Sequence, residues 1–367
     1  VRIQGIDSLE AFDSALTRGL TRLRGWHLES LDLSERTSEL ARLEVGGGVF
    51  LGCGFAAGEG PGTEDDVRRR GGLVFPRVPD VPFDPYRSAL YSPDDLYAGL
   101  TEEGYLATLD AQAYVWSRAE RTLDRTLAAA LHDHAIDDAL EEFTSHRQIV
   151  GVLGGHALRR GEPGYRAAAE LGRALATEFT VATGGGPGAM EAANLGAWLS
   201  NATPTVLDDA LLSLAASPDF TEVTAWARAA FEVRSRWPGG VESLGIPTWF
   251  YGHEPPNALA SVIAKYFSNA TREDVLLRVC RGGLVFLPGA AGTVQEIFQA
   301  ACANYYAGPA AVIPMVLVGK DYWTRQIDAW ELLRVLGTGR AFGARLDLVD
   351  STEQVLPLLM QYRSDRG

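Results

Sequence analysis

Lysine is almost absent from this chain: of its 33 basic residues only Lys265 and Lys320 are lysines, and the rest are arginines. Chemistry through a lysine Schiff base therefore has two candidates, and neither lies in a glycine loop. Cysteine is scarce as well. Cys53, Cys280 and Cys302 are too few and too scattered for a disulfide framework or a zinc cluster, which points to a cytoplasmic protein with reduced thiols. No apolar run approaches the length of a membrane span, so no membrane partner is expected. The opening Val1-Arg2-Ile3-Gln4-Gly5 lacks the apolar stretch of a secretory signal. Positive charge is in deficit, and a net charge of −14 argues against a nucleic acid polymer as partner. It leaves room for one small phosphorylated ligand, held by local donors and helix dipoles. No His/Cys/Asp spacing suggests a metal, and no cofactor is expected.

Glycine is plentiful, and two glycine-rich strand-to-helix junctions stand out. The first reads Thr183-Gly184-Gly185-Gly186-Pro187-Gly188-Ala189-Met190-Glu191, and the second Leu287-Pro288-Gly289-Ala290-Ala291-Gly292-Thr293-Val294-Gln295-Glu296. Each follows a short apolar β-rich run and opens a helix-like stretch. Unpaired N–H groups and a positive dipole end make such a junction a place for an anion. Two of them in one open sheet suggest a phosphate-bearing ligand held between them, with Glu296 beside it.

From Gln148 onward strands and helices alternate. Strands are expected at 149–153, 180–182, 247–251, 284–287 and 311–318, with helices at 164–176, 187–199, 272–280, 293–305 and 323–336. That pattern predicts an α/β chain: a Rossmann-like doubly wound parallel sheet with helices on both faces, plus a smaller N-terminal α/β domain. The expected division is 1–100 for the small domain, 101–146 for a helical connector and 147–367 for the nucleotide-binding domain. Residues 201–240 read as an insertion near the site. No repeat at a solenoid period is visible, and Gly46-Gly47-Gly48 reads as a tight turn rather than a second ligand site.

Several candidate residues carry two readings. Gly184-x-Gly186-x-x-Ala189 fits the dinucleotide fingerprint only weakly, since Asp208 and Asp209 lie in a helical context. Thr293-x-x-Glu296 is also a capping box, worth about 1 kcal/mol with no ligand present. Arg272 is positioned to clamp a phosphate or carboxylate, or simply to start a helix at the surface. His156, in Gly154-Gly155-His156, either contacts a base or bonds to backbone. In His253-Glu254-Pro255-Pro256-Asn257, Asn257 either caps a following helix or reads a nucleobase edge.

With these motifs the chain resembles the LOG (Lonely Guy) family, long mislabelled as lysine decarboxylases, whose pattern is a GGGxGxM loop and a later PGGxGTxxE loop. The resemblance covers roughly 147–335. The 253–257 segment and the extra N-terminal domain most resemble the pyrimidine/purine nucleotide 5′-monophosphate nucleosidase branch. It implies hydrolysis of the N-glycosidic bond of a nucleoside 5′-monophosphate to free base and ribose 5-phosphate, in a homo-oligomer. By that resemblance Glu296 is the catalytic glutamate and Arg272 the catalytic arginine, the latter with one residue inserted near Gly282-Gly283. Gly289, Ala290, Ala291, Gly292 and Thr293 would hold the phosphate. His156, Gly184, Gly185, Gly186, Gly188, Met190, Glu254 and Asn257 would face the nucleoside. Ala290 replaces the second glycine of the family's loop, and Glu273 stands where the family has lysine. Two further readings remain open: a cytokinin-activating phosphoribohydrolase acting on N6-substituted AMP, and a nucleotide sensor or carrier without turnover.

Overall fold

The computed structural model describes residues 4–251 and 254–365. It divides into two compact units, Val1–Leu90 with Ala119–Ala139, and Tyr91–Arg118 with Leu140–Gly367. The stretch 101–146 is thus shared between the units rather than forming a body of its own. Its long helix, Leu123–Thr144, contributes residues to both.

The first unit is built from four short parallel strands, β1 (Gln4–Ile6), β2 (Trp26–Glu29), β3 (Val49–Leu51) and β4 (Leu73–Phe75), side by side in chain order. A helix follows each of the first three: Leu9–Thr17, Thr37–Arg42 and Glu64–Arg69. Register partners lie 22 residues apart for Gln4 with Trp26 and His27 with Val49, and 24 apart for Val49 with Leu73. This is a stack of strand–helix coils, and it corrects the reading that no solenoid period is present. Ile6, Leu28, Phe50 and Val74 form one buried row across the stack. Gly25, Gly47 and Gly71, each with φ between 78° and 88°, make the turn that enters β2, β3 and β4. Such angles exclude most side chains, which explains the glycine at 47 as a turn residue. Ser30 and Gly52, the residues after β2 and β3, also have positive φ. The corresponding position after β4 is Pro76, whose ring forbids it, and the series stops there.

The second unit is a doubly wound α/β sheet. Its strands are β5 (Ile149–Leu153), β6 (Thr180–Thr183), β7 (Leu244–Gly245), β8 (Val262–Ile263), β9 (Gly283–Phe286), β10 (Met315–Val318) and β11 (Leu346–Val349). They lie in the order β11-β10-β9-β5-β6-β7-β8, all parallel. β5, β9 and β10 are buried along their whole length, as a parallel sheet with helices on both faces requires. Helices Pro163–Leu175 and Ala189–Trp198 pack closely because a Cβ at Gly172 or Gly196 would strike the other helix's backbone.

Three expected elements change. Pro247–Tyr251 is not a continuous strand; β7 ends at Gly245, Pro247 has no N–H to extend it, and beyond it the segment keeps an isolated parallel bridge between Thr248 and Tyr266. The strand expected at 311–318 shortens to Met315–Val318 after a 3₁₀ turn at Pro309–Ala311. The helix expected at 323–336 divides into a π-turn, Tyr322–Gln326, and Trp330–Gly337. β11 and the helix Val355–Ser364 lie beyond the elements read from the sequence. Among the described residues no helix is long and apolar enough to cross a membrane.

Candidate functional site

Sequence neighbours run outward from β5 in one direction through β6 to β8, and from β9 in the other through β10 to β11. The boundary between β5 and β9 is a topological switch point, where the loops leaving two adjacent strands part and open a crevice. Gly155, after β5, donates its N–H to the carbonyl of Pro288, after β9, at 3.1 Å. A cavity of 1010 Å³ opens at this end of the sheet.

The second glycine loop enters the cavity as the start of helix Ala291–Tyr306, with Ala290 as N-cap. The helix begins two residues before Thr293, so the capping-box reading is corrected: Thr293 lies inside the first turn, and Ala290 offers no side-chain cap. A Cβ on Gly289 would collide with the Thr293 side chain. A Cβ on Gly292 would meet nothing within 4 Å. Packing therefore explains the first glycine and leaves the second as open space above N–H groups at a helix N-terminus. Ala290, with φ −92°, lies outside the left-handed region, so its backbone does not demand the glycine it replaces.

The first glycine loop is held by buried polar bonds. Thr183 Oγ1 accepts from the Gly185 N–H at 3.0 Å and donates to Asn194 Oδ1 at 2.7 Å. Asn257 Nδ2 donates to the Gly186 carbonyl at 3.0 Å and to Asn194 Oδ1 at 3.2 Å, while Asn257 Oδ1 accepts from the Ala260 N–H. Asn257 is fully buried and does not line the cavity. Its amide is engaged in bracing the loop, and no helix follows for it to cap. Gly185 and Gly188, with φ 71° and 73°, shape the turn from behind and also lie off the cavity wall. Gly184, Gly186 and Met190 do line it, and Met190 Sδ packs where a Cβ on Gly184 would go. One residue on, buried Glu191 accepts from Arg160 Nε at 3.0 Å and from the Tyr165 hydroxyl at 2.8 Å. That buried pair anchors the helix behind the loop.

Arg272 and Glu296 meet inside the cavity. Arg272 lies in helix Asn269–Val279 and donates through Nε to the Ile246 carbonyl at 2.7 Å and through Nη2 to that of Gly184 at 3.2 Å. Both carbonyls sit just past sheet strands, so the guanidinium is fixed by the ends of β6 and β7. Its Nη1 is 3.4 Å from Glu296 Oε1. Burial pushes the Glu296 carboxyl up to about 7; Arg272 opposes the shift, and Glu273 and Glu254 reinforce it. His156 Nδ1 lies 3.1 Å from Glu254 Oε1, and both line the cavity. Gly289, Ala290, Ala291, Gly292 and Thr293 line it too. His253 lies outside the described residues.

Glu273 also reaches the wall, where it accepts from Asn269 Nδ2 at 2.8 Å and Gln295 Nε2 at 2.5 Å. The sequence reading did not reach Tyr251, Tyr322 or the segment Asp350–Glu353, which complete the lining. The usable signal was position alone, since each follows the carboxyl end of a sheet element. Neither lysine faces the chemistry that an aldimine needs. Lys265 is buried 2.5 Å from Asp110 Oδ1, and Lys320 pairs with Asp350 at 2.9 Å.

No family model matches the chain. Over 233 residues it is 27% identical to the pyrimidine/purine nucleotide 5′-monophosphate nucleosidase of Escherichia coli, with the same figures for three strains. The match covers 60% of this chain and 43% of that protein, so the chain spans less than half the length of the curated relatives it matches. Among solved structures it is similar to a molybdenum cofactor binding protein from Rippkaea orientalis (17% identity, TM-score 0.37, 59% of this chain and 98% of that one). It is also similar to the molybdenum cofactor carrier protein from Chlamydomonas reinhardtii (16% identity, TM-score 0.39, 60% and 99%).

Proposed function

We propose that the second unit hydrolyses the N-glycosidic bond of nucleoside 5′-monophosphates, releasing free base and ribose 5-phosphate. One observation carries this reading: the Arg272–Glu296 pair faces the same cavity as the glycine loop whose helix N-terminus lies open at Gly292. A phosphate on that N-terminus places the ribose toward the carboxylate. The similarity to a curated nucleosidase agrees with it.

The roles follow from charge. Departure of the base leaves an oxocarbenium-like ribose, and a carboxylate facing C1′ stabilises that positive charge. Water supplies hydroxide to C1′ and its proton ends on the base. A carboxyl with a pKa near 7 exchanges protons readily at neutral pH, so Glu296 can also orient or deprotonate that water. Arg272, held by two carbonyls, fixes the carboxylate and keeps a fraction of it ionised. Binding of the remote 5′-phosphate immobilises the ribose, so free nucleosides are expected to be poor substrates.

The test is chromatographic detection of free base from AMP, GMP, IMP, CMP, UMP and N6-isopentenyl AMP, with Glu296→Gln as control. Release from ordinary monophosphates that disappears in the variant supports the proposal. Release from the N6-substituted nucleotide alone would move the activity to cytokinin activation. Binding without release would leave a nucleotide carrier.

A further inference from the structure

The cavity does not end at the phosphate loop. Across the sheet, the loop of β9 is flanked on one side by the ends of β5, β6 and β7, where Arg272, Glu296 and Tyr251 lie. On the other side the lining continues past β10 to β11 through Gly319, Tyr322 and the segment Asp350–Glu353. With adjacent strands spaced about 4.8 Å apart, that second arm extends roughly 10 Å beyond the phosphate loop. A nucleoside monophosphate terminates at its phosphate and would leave this arm empty. The whole volume of 1010 Å³ lies at the upper end for a small-molecule site.

The chemistry of the arm defines what would fill it. Ser351 and Thr352 supply hydroxyls, and Asp350 and Glu353 supply carboxylates. Among the described residues the one arginine in the cavity lining is Arg272, at the opposite end, and the lysine beside the arm is paired with Asp350. This far wall offers, among the described residues, acceptors and no unpaired cation, so it suits the hydroxyls of a sugar rather than a terminal phosphate, with a bridging second phosphate staying beside the first at the helix N-terminus. The arm is also tied to the phosphate loop, because the Tyr322 hydroxyl donates to the Gly289 carbonyl at 2.8 Å.

We infer that the site takes nucleotides whose 5′-phosphate bears a hydroxyl-rich extension, as in nucleoside diphosphate sugars and dinucleotides, with the extension lying along Tyr322 and Asp350–Glu353. This rests on the nucleosidase reading for the position of the phosphate. Bond cleavage is unchanged: water adds across the C1′–N bond, and the extended ribose phosphate leaves intact.

The experiment compares AMP with ADP-ribose, UMP with UDP-glucose and GMP with GDP-mannose, measuring both base release and calorimetric binding. For at least one pair the extended nucleotide should show a kcat/KM about tenfold above its monophosphate. Thr352→Trp, and independently Glu353→Trp, should abolish that gain while monophosphate turnover continues. Monophosphates cleaved with every extended partner equal or worse would overturn the inference and leave the nucleosidase proposal standing. A gain that survives both tryptophans would also overturn it. If nothing releases base, the nucleosidase proposal fails, and binding decides the arm. Tighter binding of an extended nucleotide that both tryptophans erase upholds it; equal binding rejects it.

Discussion

Glu29 in the coil stack and Glu296 in the doubly wound unit are both carboxyls pushed up to about 7, largely by burial. Their surroundings differ. Glu29 is raised further by Asp7, Asp138 and Asp84, and among the described residues no cation opposes the shift. Glu296 has Arg272 at 3.4 Å and faces a cavity beside an open helix N-terminus. A perturbed carboxyl is thus no sign of catalysis by itself. The cation, the cavity and the open helix N-terminus around Glu296 are what single it out, rather than Glu29, as the proposed catalytic carboxyl.

That contrast can be broken most sharply with paired substitutions. Glu296→Gln should lower base release by about 100- to 1,000-fold with little change in nucleotide binding, whereas Glu29→Gln should leave turnover at the wild-type level. Steady-state kinetics on both variants decides it; equal losses would dissolve the distinction. Arg272→Gln should come next. Removing the guanidinium that holds the Glu296 pKa down raises it further, so the rising limb of the pH–rate profile, if it reports this carboxylate, should move to higher pH. An unshifted limb would assign the titration to another group. Gly292→Val should raise KM for monophosphates by about tenfold while leaving thermal stability near wild type, since its Cβ enters open space. A loss of stability without a KM change would make that glycine structural.

The smallest effect concerns stability. Both folded-state pKa values lie above the unfolded value near 4.5, so each neutral carboxyl's contribution is full below that pH and lost as pH rises through 7. Glu29→Gln should therefore stabilise the protein at pH 8 by about 1–2 kcal/mol and have no such effect at pH 4. Glu296→Gln should give a gain of similar size at pH 8, because the Glu296 pKa of about 7 already includes the opposing pull of Arg272. Urea unfolding at the two pH values checks both.

Much of the second unit was legible because parallel strands buried on both faces write themselves as apolar runs between glycine and helix. Ile149–Leu153 and the helix Pro163–Leu175 follow that logic closely. Trp249 shows where it fails: a β-like run at 247–251 serves instead to place a buried indole, whose Nε1 bonds to Asp110 at 2.8 Å. At the site, motif spacing pointed to Glu296, Gly289 and Gly292, and three-dimensional closure supplied Tyr251, Tyr322 and Asp350–Glu353. Asn257 was placed at the right loop but on its inner side, because a sequence cannot say which face an amide serves. The coil stack escaped notice for a different reason. Its coils share a left-handed glycine and inward positions that are apolar but differ in identity, as Ile6, Leu28, Phe50 and Val74 do. Identity between coils is too low to register as a repeat, although the shape recurs.

The chain-order pairing of β1 to β4 has a consequence for how that unit forms and changes. Every strand joins a neighbour only 22 to 24 positions away, so no coil waits for a distant segment before it can dock. Assembly can spread like a zip from any adjacent pair, and stability accumulates coil by coil rather than through a single closure. Lengthening or shortening the unit by one whole coil would leave the register of the others intact. The doubly wound sheet has no such freedom: β5 and β9 touch across more than a hundred residues, and losing either would remove the crevice itself.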